Sequence, residues 1–164
     1  VGGGRRLAAV PAAVAGGSPR AIIDAANDEH EGEHQERAMN KEIVSTSAAP
    51  AAIGPYSQAV KTGLVVFSSG QIGLDPASGE LVSGDFEPQV RQAFRNLEAV
   101  AHASGATLAN AVKFTLFLTD LAQFATVNRI MGEVVPQPYP ARSTVGVASL
   151  PKGALFEVEA IFVL

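Results

Sequence analysis

Three charged side chains stand where a chain ordinarily avoids charge. Arg142 lies in Pro140-Ala141-Arg142-Ser143-Thr144, at the start of an apolar, β-branched stretch, and Glu157 and Glu159 lie inside Phe156-Glu157-Val158-Glu159-Ala160. A buried charge is costly unless it is paired or awaits a partner. Arg142 offers a planar fork of donors that matches a carboxylate bidentately, and a glutamate beside it can take and return protons. Together they suit a small carboxylate-bearing substrate, held by the arginine while the glutamate handles protons. A structural ion pair between Arg142 and one of the glutamates is the plainer alternative. A solvent-facing pair of glutamates is another.

Other reactive side chains are scarcer. Tyr56 sits in Gly54-Pro55-Tyr56-Ser57-Gln58 and Ser69 in Ser68-Ser69-Gly70-Gln71, where each alone reads as a turn residue or strand end. The chain has no cysteine, which excludes disulfides, thiolate catalysis and Cys-ligated zinc. His30-Glu31-Gly32-Glu33-His34 satisfies H-E-x-x-H literally. That motif needs a helix with an apolar face and a third ligand; here the neighbours are polar and Gly32 weakens any helix. His102, the one other histidine, falls in an ordinary amphipathic pattern, so a solvated acidic linker is expected around residues 24–37. No metal cluster, phosphate-binding glycine loop or Ser-His-Asp set is visible, and no cofactor is expected.

The net charge is -4, with four Lys/Arg and six Asp/Glu in residues 1–38 and eight and ten in residues 39–164. No basic stripe suggests a nucleic-acid partner. No apolar run reaches the ~18 residues a membrane span needs. Residues 1–20 are rich in Gly, Ala and Pro, with Arg5, Arg6 and Arg20 and no acid. They read as an organelle-targeting segment, an artificial extension or a disordered leader, so the expected location is cytoplasmic, or plastid or mitochondrial if the segment is a transit peptide. One domain over residues 39–164 is expected.

The elements that must position these residues follow from periodicity. Residues 57–61 and 64–69 read as strands joined through Thr62-Gly63, and 70–84 as turn-rich. Val90, Ala93, Phe94, Leu97, Val100 and Ala101 form one helical face over residues 85–104, with Asp85 as N-cap and Gly105 as the stop. Residues 111–119 alternate as a strand. A second helix is predicted after Asp120, with Gln123 placed for a capping box, and Pro136 ends it. Strands over 141–148 and 155–163 complete β-β-α-β-α-β-β, an α+β fold with both helices on one face of the sheet. Glu157 and Glu159 share a strand face with Leu155 and Ile161, which suggests that something covers it, another subunit being one candidate.

Taken in order, Ala51-Ala52-Ile53-Gly54-Pro55-Tyr56-Ser57-Gln58-Ala59, Ser69-Gly70-Gln71, Ala125-Thr126-Val127-Asn128, Pro140-Ala141-Arg142-Ser143-Thr144 and the stretch from Leu150-Pro151-Lys152 through Glu157-Val158-Glu159-Ala160 resemble the Rid family, also called YjgF or L-PSP, in its RidA-type deaminase branch. The likeness covers roughly residues 45–163. It implies a chorismate-mutase-like fold and a homotrimer with a barrel-like core and clefts between subunits. It implies hydrolysis of 2-imino acids and their enamine tautomers, such as 2-aminoacrylate and 2-aminocrotonate, to 2-keto acids and ammonia. By the same resemblance Arg142 grips the substrate carboxylate, Glu157 handles water or protons, Tyr56 belongs to the catalytic pocket, and Ser69, Gly70, Asn128 and Thr144 bind substrate. Met131 stands where many relatives carry tyrosine, and Val134-Val135 where they carry an aromatic pair, so altered packing near the cleft and a shifted substrate preference are expected. A keto-acid-binding regulatory protein is the competing reading, and an endoribonuclease or translation inhibitor a weaker one.

Overall fold

The alternating apolar runs lie side by side in one mixed sheet, and the two amphipathic stretches coil into helices that cover one of its faces. The structure is a computed structural model that describes residues 40–164; the His30–His34 motif and the basic leader lie outside the described residues. The strands are β1 (Lys41–Val44), β2 (Ala59–Thr62), β3 (Val65–Ser68), β4 (Gln71–Ile72), β5 (Ala111–Leu118), β6 (Ala141–Gly146) and β7 (Phe156–Val163); the helices are α1 (Phe86–Ala103) and α2 (Phe124–Val134). Their order across the sheet is β1-β2-β3-β7-β5-β6, with β4 also paired to β7. β5 and β6 run parallel, as a crossover through α2 requires, and the other pairs are antiparallel.

This is the α+β fold predicted from the periodicities, with two further strands. β1 is a four-residue edge strand with three exposed positions, and β4 has only two residues; segments that short carry too little alternation to read. Asp120 caps a single 3-10 turn, Leu121–Gln123, by accepting from Ala122 N at 2.9 Å. α2 therefore starts at Phe124, later than the predicted capping box, and Gln123 makes no cap bond. The strand carrying Arg142 stops at Gly146 rather than 148. Gly105, at φ +88°, ends α1 as expected.

The helix-facing side of the sheet is the core. Phe114, Leu116 and Leu118 of β5 and Phe156, Val158 and Phe162 of β7 meet Val90, Phe94, Leu97 and Val100 of α1, all buried. Phe94 stands edge-on to Phe114 at 6.1 Å and 85°, and lies 5.9 Å from Phe156, geometries that aromatic quadrupoles favour. Two buried carboxamides lock α1 to the segments that later shape the site. Asn96 Nδ2 donates to the carbonyls of Ile72 and Leu74 at 3.0 and 2.8 Å. Gln89 donates to Ser83 O at 2.7 Å and accepts from Leu155 N at 2.9 Å. Each satisfies backbone groups that burial would otherwise penalise.

α2 is held against α1 by four charges in a closed ring, with Glu87 and Glu133 each contacting both Arg91 and Arg129 at 2.6–3.0 Å. Hydrogen bonds from these arginines hold both glutamates below their ordinary pKa, the bond from Arg129 acting most on Glu87 and that from Arg91 most on Glu133. The opposite face of the sheet has no helix among the described residues. By register Ile43, Phe67, Val145 and Val163 all point to it, and all four are exposed.

Candidate active site

β3 and β4 are one strand interrupted by a bulge. Phe67 pairs with Ile161 and Gln71 with Val158, so four steps on one strand (71 − 67) oppose three on β7 (161 − 158). Such an insertion bends a strand and re-aims its side chains. Ser68 repairs the lost ladder bond, its Oγ accepting from Ala160 N at 2.8 Å. Ser69 and Gly70 are thereby turned into a cavity of about 750 Å³, whose lining includes Tyr56, Gln71, Lys152 and Glu157. The Ser69 hydroxyl donates to Ser57 O at 2.6 Å. Its proton is committed, and its oxygen is left to accept.

Tyr56 reaches this cavity from the lead-in to β2. Gln58 is a staple: its Oε1 accepts from Thr46 N at 2.6 Å, and its Nε2 donates to the carbonyls of Thr46, Ala49 and Pro50 at 3.0, 3.2 and 2.8 Å. The Tyr56 hydroxyl accepts from Ile53 N at 3.3 Å. Lys152, also in the cavity lining, is the sole non-glycine residue with positive φ (+56°) among the described residues, and its Nζ donates to Gly79 O at 2.6 Å. Sequence reasoning missed the roles of Gln58 and Lys152. A glutamine beside a strand and a lysine in a left-handed turn carry no signal in residue type alone.

Glu157 enters from the centre of the sheet. It is half-buried in the cavity wall, and desolvation raises its pKa above the ordinary carboxylate value, with the charge of Glu159 adding to the rise. Its carboxylate lies directly over Gly70: a Cβ there would overlap Glu157 Oε1 and approach Cδ to 2.6 Å. The role of Gly70 is thus to leave room for Glu157. Gly70→Ala is expected to displace the carboxylate and to slow any reaction that depends on its position by about 10²-fold. Because the clash is with the end of a flexible side chain, the melting temperature should hold. Gly73→Ala is the contrast, since its Cβ would stand 2.6 Å from the Cα of Gln89 in α1, and there the fold itself should suffer. Melting curves alongside initial rates separate the two, and an active Gly70→Ala would refute the assignment.

Arg142 opens on a different cavity, of about 450 Å³, lined by Asn128, Met131, Gly132, Tyr139, Pro140 and Arg142 itself. Its Nη1 donates to Asn128 Oδ1 at 2.6 Å and approaches Met131 Sδ at 3.6 Å. The guanidinium lies 5.0 Å from the centre of the Phe124 ring, a cation–π contact. Among the described residues no carboxylate pairs with it, so no ion pair within residues 40–164 occupies it. Asn128 spends its carbonyl on the arginine. Thr144 follows two residues on and belongs to neither cavity lining, and its Oγ1 is buried without a hydrogen-bond partner.

The structure therefore brings Tyr56, Ser69, Gly70 and Glu157 together in one place and Asn128 and Arg142 in another. Register separates the groups further. Arg142 pairs with Phe114, which pairs with Ala160, whereas Glu157 pairs with Phe117, which pairs with Val145. Paired residues share a face and alternate ones oppose, so Arg142 points to the helix side and Glu157 to the open side. Within one protomer Arg142 and Glu157 cannot touch one small molecule.

A family model described as Endoribonuclease L-PSP matches residues 46–164. The chain is 48% identical over 124 residues to a protein of Dermatophagoides farinae named 2-iminobutanoate/2-iminopropanoate deaminase, covering 76% of this chain and 97% of that one. It is 45% identical over 121 residues to the Homo sapiens protein of the same name, covering 74% and 88%. Among solved structures it is similar to RidA from the Antarctic bacterium Psychrobacter sp. PAMC 21119, with a TM-score of 0.73 and 46% identity over 75% of this chain and 99% of that one.

Proposed function

Because the chain belongs to the Endoribonuclease L-PSP family, the Rid family that its motifs resemble, and its relatives include named imine deaminases, we propose that it is an enzyme hydrolysing 2-imino acids and their enamine tautomers to 2-keto acids and ammonia. The observation that carries this reading is a guanidinium lining a cavity with no carboxylate partner among the described residues. Such a group is complementary to a small organic anion.

The active unit in this reading is a homotrimer, in which the Arg142 cavity of one copy faces the Glu157 cavity of the next. Two features support it: the separation of the two groups across the sheet, and the exposed apolar side chains of the open face, the kind of surface that subunits cover. Arg142 and Asn128 receive the substrate carboxylate and fix its orientation, which lowers the barrier by removing a search. The imine carbon is already electrophilic. Glu157 takes a proton from water as its oxygen bonds to that carbon, and the C=N π electrons pass to nitrogen. The carboxyl then returns that proton to nitrogen, giving the carbinolamine; it next carries the carbinol O–H proton to nitrogen as the C=O bond forms and the C–N bond breaks, so ammonia leaves and the keto acid stays behind. Ser69, with its own proton held by Ser57 O, accepts a hydrogen bond from the N–H of the substrate. Tyr56 closes the mouth.

The test generates the imine in situ with an amino-acid oxidase or dehydratase and follows keto acid in competition with semicarbazide. Keto acid should appear faster with the protein present, and less semicarbazone should form. Binding of 2-ketobutyrate with no acceleration would replace the enzyme by a keto-acid sensor.

A further inference from the structure

The chain has no cysteine and only two methionines, Met39 and Met131. Met131 is on α2, 5% exposed, in the wall of the Arg142 cavity, with its sulfur 3.6 Å from Arg142 Nη1. A thioether is a weak acceptor, so this contact holds the guanidinium lightly and leaves its donors for a substrate carboxylate. Oxygen on that sulfur would change the balance, because a sulfoxide is polar and its oxygen is a strong acceptor. The new oxygen would stand on an atom already beside the anchor.

We propose that Met131 is a modification site, whose oxidation by a hydroperoxide occupies Arg142 and shuts the anion cavity. One sulfur lone pair attacks a peroxide oxygen; the S–O bond forms as the O–O bond breaks. Sulfur loses two electrons, and with hydrogen peroxide the other oxygen leaves as water after proton transfer. The small exposed fraction of Met131 and its place in the wall make the cavity the route of approach, so a bound keto acid shields the sulfur. The sulfoxide is reducible by methionine sulfoxide reductases, which makes the closure reversible. That the closed cavity stops imine hydrolysis rests on the deaminase reading; that it loses carboxylate affinity does not.

The experiment treats the full chain with hydrogen peroxide, locates added oxygen by peptide mass spectrometry, and measures 2-ketobutyrate affinity by calorimetry before and after. Oxygen at Met131 should weaken binding at least about tenfold, roughly one charge-assisted hydrogen bond, and reductase treatment should restore it. In Met131→Leu, a volume-conserving change, the ratio of treated to untreated affinity should stay near one, while Met39→Leu should lose affinity as the parent does. Excess 2-ketobutyrate during treatment should slow oxygen uptake at Met131. Unchanged affinity after full conversion of Met131 would overturn the proposal, as would peroxide sensitivity persisting in Met131→Leu, or no oxygen uptake under conditions that oxidise free methionine. An untreated protein that fails to bind 2-ketobutyrate overturns both this and the deaminase reading; one that binds it without hydrolysing imines overturns only the latter.

Discussion

Arg142→Ala is expected to lower kcat/KM for imine hydrolysis by about 10²–10⁴-fold while leaving the melting temperature close to that of the parent. The two halves of that expectation have separate causes. Arg142 contributes one hydrogen bond to Asn128 and a stack on Phe124, takes part in no ion pair among the described residues, and is only half-buried. Its removal leaves a solvent-reachable cavity rather than a stranded buried charge, so the fold loses little. The substrate loses its anchor. Two charge-assisted hydrogen bonds to a carboxylate are each worth ~1.5–3 kcal/mol, and every ~1.4 kcal/mol is a factor of ten in rate. Arg142→Lys separates charge from shape: the ammonium keeps the attraction but not the planar fork, so partial recovery, nearer the alanine variant than the parent, is expected. Initial rates across imine concentrations with thermal melts provide the check. Parent-like turnover by Arg142→Ala would remove the site from Arg142.

How much of this was legible in the residues depended on whether one element or several had to be read together. α1 was legible because Val90, Ala93, Phe94, Leu97, Val100 and Ala101 repeat at helical spacing, and all are buried as that spacing predicts. β5 and β7 were legible from period-two alternation. β4 was not, since two residues have no period; it continues β3 past the bulge by pairing with β7, and Asn96, 24 and 22 residues further along the chain, supplies donors to the carbonyls of Ile72 and Leu74. The residues proposed for the site were named through the family resemblance, while Gln58 and Lys152 of the Glu157 cavity were not. The distribution of the proposed residues was not legible, because whether Arg142 and Glu157 share a face depends on which residue of β5 each one pairs with. Two strands read singly say nothing about relative register. The same register leaves desolvation, with Glu159, to govern the Glu157 carboxyl within the protomer, since it sends Arg142 to the other side of the sheet.

That separation is what makes Glu157→Gln informative. The variant should slow hydrolysis by about 10²–10⁴-fold, the usual worth of a positioned general base, yet bind 2-ketobutyrate as tightly as the parent, because the proposed mechanism gives carboxylate recognition to the Arg142 cavity. It should also change two pH dependences. The carboxyl is raised by desolvation first and by Glu159 second, so the acid limb of the parent's kcat/KM profile should lie above the ordinary carboxylate pKa and vanish from the residual activity of the variant. For stability, a raised native pKa means that the folded chain holds more protons than the unfolded chain between the two pKa values. Stability from this group is therefore fully present below the ordinary glutamate value and is lost as pH rises through the raised one. An uncharged amide escapes that loss. Glu157→Gln should thus melt higher than the parent at neutral pH, and the gain should shrink as the pH falls below the ordinary carboxylate range. A variant that melts lower at neutral pH and loses 2-ketobutyrate binding together with activity would make Glu157 a structural residue, and the base would have to be sought elsewhere on the open face of the sheet.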